Sequence, residues 1–307
     1  MATYTKIDTK AANTICNSYD MQVTDCIAIA GGLANSNYHL YTSTGEYVLT
    51  VAEEKSWKEI ERLVSLLEYL QTHQFPSSQV CYSKNRETTL EYLGKPIFLK
   101  KWIAGNIYQE LTPEMLKELG RHIGKLHKIP CPPYIQQQHS YSLPFFANLE
   151  KKVANSEYRT WLQTQVSRLT KSYPKQMPQG LLHGDIFFDN VIFQKERLQA
   201  IIDFEETCCD AFAFDLGMGI LGLCQKQETI DTAKAKHLLG GYETERRLTE
   251  LEKLSLVFFI EYSATATSYW RYCHYHLHNP APEQHNKYLE MVEIAKSIQV
   301  LAKDCFF

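Results

Sequence analysis

The sequence contains no C-x-x-C pair, no polybasic run, no internal repeat and no apolar stretch of membrane length. Its nine cysteines are odd in number and irregularly spaced, a pattern that fits reduced thiols better than a disulfide framework. Cys208 and Cys209 stand together in a predicted loop and read as a buried thiol pair rather than a redox device. Lys and Arg total 32 against 35 Asp and Glu, for a net charge of -3. There is thus no basic excess to recruit nucleic acid or a membrane surface. Apolar runs such as Leu254–Ile260 are far too short to span a bilayer. Met1–Asp25 mixes Lys, Asp, Thr and Asn without a hydrophobic signal core, so the cytoplasm is the expected compartment.

What is present is a chain of 307 residues, 44% hydrophobic, enough for two cores. The first third reads as strands with one helix. Asn37–Tyr41 and Glu46–Val51 are β-rich and flank a turn at Thr42–Gly45. Ile60, Leu63, Val64, Leu67 and Leu70 recur with helical period over Glu59–Leu70. Leu90–Tyr92 and Ile97–Trp102 form a second strand pair. Beyond Ile103-Ala104-Gly105 the pattern turns helical. Thr112 is a predicted N-cap with Pro113 at the first helical position, and Leu111 can staple to Leu116. The exception is Gly180–Asp203, which reads as strand, loop, strand, turn, strand. The expected fold class is α+β with two lobes. Residues 1–102 form a small β-rich nucleotide-binding lobe, and 103–307 a larger, mainly helical catalytic and substrate-binding lobe.

The chemistry concentrates in His183-Gly184-Asp185-Ile186-Phe187-Phe188-Asp189-Asn190, followed by a hairpin and Asp203. Phosphoryl transfer needs these residue types. Mg²⁺ takes oxygen ligands, one or two from the protein and the rest from phosphate and water; Asn190 and Asp203 can supply them. The acceptor hydroxyl needs a separate carboxylate to align it and take its proton, and Asp185 suits that duty. The order of Asp, Asn, hairpin and second Asp matches a kinase catalytic loop with its metal-binding Asp. His183 is placed to brace the loop, and Asp189 to bond within it. Upstream, Gly31, Gly32, Asn35, Ser36 and Asn37 lie between two predicted strands. Small residues there let backbone N–H groups approach phosphates, with the Asn and Ser side chains as added donors.

At these residues the sequence resembles the aminoglycoside phosphotransferase and choline kinase superfamily, which shares the protein-kinase-like fold. The carrying motifs are H-G-D-x-x-x-D-N, then Ile-Ile-Asp-Phe-Glu, then Phe214-Asp215-Leu216-Gly217 with Asp210 before it. Gly32–Tyr38, Tyr47–Val51 and Leu119–His127 are similar to the homoserine kinase branch. The resemblance runs from about Asp25 to Leu301. It implies an ATP- and Mg²⁺-dependent kinase of a small amino-bearing alcohol, with L-homoserine the leading substrate and threonine biosynthesis the pathway. Hydroxylysine, choline, ethanolamine, methylthioribose and aminoglycosides are alternative substrates, and a non-catalytic nucleotide-binding module is the rival class. It also implies that the Asp-Leu motif buttresses the catalytic loop and that adenine lies near Lys101, Trp102 and Ile103. Partners would be a nucleotide, a small substrate and, for a homodimer, a second copy of the chain, with no nucleic acid or membrane.

Two departures stand out. Many relatives carry a phosphate-gripping lysine in the strand after the glycine loop, paired with a helix glutamate. Here Thr50 occupies that position; Glu59 and Glu61 are the candidate helix acids, but without the lysine each reads rather as a solvated surface charge. Glu205 and Glu206 stand where the homoserine branch is commonly aromatic. An acid such as Glu205 suits a substrate ammonium, and Arg271 could clamp a substrate carboxylate; each could equally be a surface charge. His274 and His278 share a predicted helix face, but the sequence spaces no further ligands to complete a zinc site.

Overall fold

The computed structural model describes residues 5–30, 35–302 and 305–307. It divides into two compact units, one of Ala2–Asn106 with Gln199–Ile202 and one of Ile107–Leu198 with Asp203–Phe307. The short segment of the first unit that comes from late in the sequence is held there by Ile201, whose N–H donates to the carbonyl of Pro76 at 3.0 Å.

The first unit holds helix α1 (Thr9–Cys16), strands β1 (Val23–Ile29), β2 (Asn35–Thr42) and β3 (Gly45–Ala52), helix α2 (Trp57–Thr72), and strands β4 (Thr89–Tyr92) and β5 (Lys95–Lys101). The strands form one antiparallel sheet in the order β1-β2-β3-β5-β4. Side chains alternate across it. Tyr38, Leu40, Tyr47, Leu49, Val51, Ile97 and Leu99 face one side, where α1 closes a core with Ala12, Ile15 and Cys16. Each fully buried leucine there contributes about 1.5–3 kcal/mol. The other side carries Asn37, His39, Val48 and Thr50. Ser56 starts α2 in a capping box with Glu59, whose carboxylate accepts from the Ser56 N–H at 2.8 Å and hydroxyl at 2.6 Å. The acid weighed above as a lysine partner is therefore a helix cap, worth about 1 kcal/mol. Gly31 and Gly32 lie outside the described residues.

The second unit holds α3 (Pro113–Leu126), α4 (Leu149–Lys152), α5 (Ser156–Ser172), β6 (Gln179–Leu182), β7 (Val191–Gln194), most of the turn into β8 (Arg197–Ile201), β9 (Cys208–Ala211), α6 (Phe212–Leu223), β10 (Gln225–Lys226), β11 (Thr229–Ile230), α7 (Thr232–Glu243), α8 (Glu250–Cys273) and α9 (Lys287–Ile298). Thr112 caps α3 by accepting from the Met115 N–H, with Pro113 in the first turn. Gly120 of α3 and Gly241 of α7 let these helices touch backbone to backbone: a Cβ on either would run into the carbonyl of Leu238 or Lys117. That approach sets Tyr242 beside His127 at the end of α3.

Strands β6 and β9 pair antiparallel, Leu181 opposite Cys209 and Leu182 opposite Cys208. The expected loop at Cys208-Cys209 is thus a strand, and the expected thiol pair is not one. Cys209 is bridged to Cys131, with Cα atoms 6.1 Å apart, while Cys208 stays free and buried. That distance lies within disulfide reach, and a sequence separation of 78 hides the pairing from any reading of local spacing. Among the described residues no helix is long and apolar enough to cross a membrane.

Candidate active site

The loop after β6 is fixed by one buried carboxylate. Asp215, in the first turn of α6, accepts the N–H of His183 at 3.0 Å and of Gly184 at 2.8 Å. Gly184 has φ +88°, and a Cβ there would lie 2.6 Å from the carbonyl of Glu206, so both conformation and space demand glycine. His183 is fully buried, meets Phe204 edge-on, and its Nδ1 accepts the Asp185 N–H at 3.2 Å. It is built into the wall as a brace. The Asn190 amide donates to the Asp185 carbonyl at 2.9 Å and to Asp185 Oδ2 at 3.2 Å. Five residues apart in sequence, the two side chains are thus locked together.

Asp203 has left-handed backbone geometry, φ 64° and ψ 64°, at the head of a short turn over Phe204–Glu206. The turn directs acids back toward the loop. Burial pushes the Asp185 carboxyl up to about 8, and the charges of Asp203, Glu206 and Asp189 push the same way against the Asn190 hydrogen bond. Tyr141 faces the same acids: burial, then Asp185, Glu206 and Asp203, hold its phenol well above the usual range.

Behind the loop runs a chain of matched donors and acceptors. His127 Nε2 meets Asp215 Oδ2 at 3.0 Å, and its Nδ1 meets the Tyr242 hydroxyl at 2.8 Å. Arg246 donates to that hydroxyl at 3.0 Å and pairs with Glu252 at 2.8 Å. Burial pushes His127 down, more strongly than Asp215 lifts it. Burial pushes Asp215 up as well, but the hydrogen bonds and charge interactions of His127 and His183 together outweigh it and hold the carboxyl below its ordinary value. The set is consistent with one proton arrangement. Ionised Asp215 accepts from neutral His127 Nε2–H, and Tyr242 O–H donates to Nδ1 while accepting from Arg246.

Residues 25–251 match the phosphotransferase enzyme family. The chain belongs to this family. Curated relatives of this phosphotransferase include a homoserine kinase of Nitrobacter winogradskyi, 28% identical over 265 residues, covering 83% of this chain and 81% of that one. Another is a homoserine kinase of Paramagnetospirillum magneticum, 26% identical over 274 residues and covering 84% of each. Similar solved structures include an amicoumacin kinase in complex with AMP-PNP, Ca²⁺ and Ami, with TM-score 0.76 and 14% identity over 96% of this chain and 95% of that one. A microcompartment-associated aminopropanol kinase gives TM-score 0.75 and 15% identity over 95% and 97%. A spectinomycin phosphotransferase in complex with ADP and spectinomycin gives 0.70 and 15% over 97% and 100%. At these identities the likeness establishes the protein-kinase-like fold.

The donor set of this phosphotransferase suits a hard cation that brings its own water and phosphate ligands. Both Asn190 amide bonds to Asp185 are made through Nδ2, leaving Oδ1 as the amide oxygen for a metal. Glu206 Oε2 is buried with no hydrogen-bond partner among the described residues, beside acids whose mutual repulsion a cation would relieve. No group of three or more His, Cys, Asp and Glu side chains among the described residues could hold a metal by itself. Mg²⁺ bound with phosphate does not require one.

The structure separates the other predicted residues. Asp185, Asn190 and Asp203 come together. Glu206, rather than Glu205, bears on Asp185. Arg271 does not join them: its Nη1 donates to the Lys287 carbonyl at 3.0 Å and pairs with Glu290 at 2.9 Å, tying α8 to α9. In the first unit, Ser36 and Asn37 point to opposite faces of β2. The Ser36 hydroxyl donates to Glu53, which also receives the Thr5 N–H and Lys95. Lys101, Trp102 and Ile103 line a cavity of about 490 Å³ with Gln71, Phe75 and Gln199. Trp102 also stacks on His39, ring centroids 3.7 Å apart. Tyr141 and His127 escaped sequence reasoning as site residues. His127 closes the segment that resembles the homoserine branch, which was the one signal available.

Proposed function

We propose that this phosphotransferase transfers the terminal phosphoryl group of ATP to the hydroxyl of a small amino-bearing metabolite, with L-homoserine the first substrate to test. The observation that carries the reading is the Asp185 carboxyl. It is lifted to about 8, held in place through Asn190, and surrounded by acids. A carboxylate with that affinity for a proton can orient an alcohol and accept its hydrogen as the phosphorus–oxygen bond forms. Asn190 Oδ1 and Asp203 would hold Mg²⁺, which supplies charge neutralisation at the phosphates when bound. Glu206, with Glu205 next to it, offers the negative charge for a substrate ammonium. Asn35 and Asn37 would serve the phosphates, and the Trp102–His39 stack offers a flat aromatic surface suited to adenine. The homoserine kinase relatives favour homoserine within this class.

The test is ADP release with ATP and Mg²⁺ across homoserine, hydroxylysine, ethanolamine, choline, methylthioribose and an aminoglycoside. Turnover with an amino-bearing alcohol is expected. Nucleotide binding without turnover on any alcohol would sink the enzyme reading in favour of a nucleotide-binding module.

A pH dependence follows from Asp185. The base form accumulates as pH rises, so kcat should climb about tenfold per pH unit and level off near the carboxyl's pKa, lowered from about 8 to the extent that bound Mg²⁺ stabilises the carboxylate. A kcat flat from pH 5.5 to 9 would remove Asp185 from the base role. The same shift affects folding in the free protein. The folded carboxyl keeps its proton up to about 8, whereas an unfolded aspartate loses it near ~4. Asp185 therefore adds stability below ~4 that is lost as pH rises through about 8.

A further inference from the structure

Thr50 stands on β3 where many kinases of this fold carry a lysine for the phosphates. We propose that the grip is delivered by the carboxamide of Asn37, aimed by the hydroxyl of Thr50. This rests on the reading that the protein binds ATP.

The strand register sets Ile29, Asn37, Thr50 and Phe98 in one row across β1, β2, β3 and β5, and directly opposed residues present their side chains to one face. Thr50 is 1% exposed, and its Oγ1 donates to Asn37 Oδ1 at 2.7 Å. A threonine hydroxyl has one hydrogen, and here it is used on the carboxamide oxygen. The amide is thereby oriented. Its acceptor end is held against β3, and its Nδ2, with two hydrogens, is turned away. Asn37 makes no other side-chain hydrogen bond among the described residues. Two diverging donors on one nitrogen, at the end of a short, fixed side chain, can meet the oxygens of a polyphosphate.

Neighbouring groups are committed elsewhere. The Ser36 hydroxyl, on the opposite face, serves Glu53. Lys95 pairs with Glu53 as well. The Tyr38 hydroxyl, also opposite, meets the Thr5 carbonyl and the Ile7 N–H. Lys100 is the rival donor: it lies opposite Val48 in the next row of the same face, with its ammonium 5.1 Å from the Phe98 ring centroid. A hydroxyl–carboxamide pair thus takes the place of an ammonium ion. It keeps hydrogen-bond donation and gives up fixed positive charge, so its contribution is less sensitive to salt.

The test measures binding of Mg²⁺–AMP-PNP and of adenosine to the full chain by calorimetry, beside thermal melting of each variant. Asn37→Ala should weaken AMP-PNP by about 10-fold or more and leave adenosine within about twofold, because adenosine has no phosphate to lose. Asn37→Asp should weaken AMP-PNP further, since a carboxylate repels the phosphates. Thr50→Val, which keeps shape and removes the donor, should cost about 3- to 10-fold; Thr50→Ser should restore binding to within about twofold of wild type. Wild-type AMP-PNP affinity in folded Asn37→Ala overturns the proposal. So does an equal loss of adenosine and AMP-PNP, which would mean general damage to the sheet. Loss confined to Lys100→Ala would move the grip to that lysine. If the wild-type chain binds no nucleotide at all, the ATP reading itself falls.

Discussion

Asp185→Asn should lower kcat by about 10³-fold while nucleotide affinity changes by less than about threefold. The substitution keeps size and polarity but removes the capacity to take a proton. The loop around it does not depend on that charge. Its backbone is held by Asp215 through His183 and Gly184, and the Asn190 amide still has the Asp185 carbonyl to donate to. The loss should therefore appear in kcat, with little change in KM for ATP. Stability should move the other way. At pH 9 the wild-type carboxylate sits ionised among Asp203, Glu206 and Asp189, and the neutral amide removes that repulsion, so the variant should melt higher than wild type. Near pH 5, where the wild-type carboxyl is already protonated, the two should melt alike. Single-turnover rates with the substrate found by the ADP screen, beside melting curves at the two pH values, check both arms. A variant turning over within tenfold of wild type would show that Asp185 is not the base.

Asp215→Ala should be the most destabilising single change in the second unit. It orphans three buried groups at once: the N–H of His183, the N–H of Gly184 and Nε2 of His127. Each buried donor left unsatisfied costs about 1–3 kcal/mol, so the three together should lower the melting temperature by on the order of 10 °C for a chain of this size. Activity should fall as well, because the loop carrying Asp185 and Asn190 loses its anchor. The variants behind Asp215 should form a graded series. Tyr242→Phe deletes only the donor to His127 Nδ1 and should cost about 1 kcal/mol. His127→Ala removes the Asp215 partner and should fall between the two. Thermal melting with kcat for each variant tests the order. Asp215→Ala melting within about 2 °C of wild type would refute an anchoring role.

The local features were legible before any coordinates. The apolar period over Glu59–Leu70 became α2, two residues longer at each end. Thr112 and Pro113 began α3 as expected, and the turn at Thr42–Gly45 closed the β2–β3 hairpin. Such features depend on residues within a turn or two of one another, so the sequence displays them directly. The acid–amide spacing of Asp185 and Asn190 was visible for the same reason. One reading failed because the partner was remote, and others because a local alternative was passed over. Arg271 looked available for a substrate because Glu290 and Lys287 lie on another helix. Glu59, weighed as a helix acid or a solvated surface charge, is instead the capping-box partner of Ser56 three residues before it. Ser36 and Asn37 looked equivalent, but strand alternation turns them to opposite faces.

By itself, the sequence determined the chemical inventory: a carboxylate, an amide and a second carboxylate in kinase order, with threonine in place of a lysine. It also determined the elements that carry them, since period and capping are local properties of the chain. Only the tertiary structure decided how that inventory is held. It paired Asp215 with His127 across 88 residues and Cys131 with Cys209 across 78. It lifted Asp185 by burying it among acids, and it turned the Asn37 amide by means of Thr50. The physical reason is that burial and hydrogen-bond direction depend on which distant segments pack together, and residue order along the chain does not state that packing.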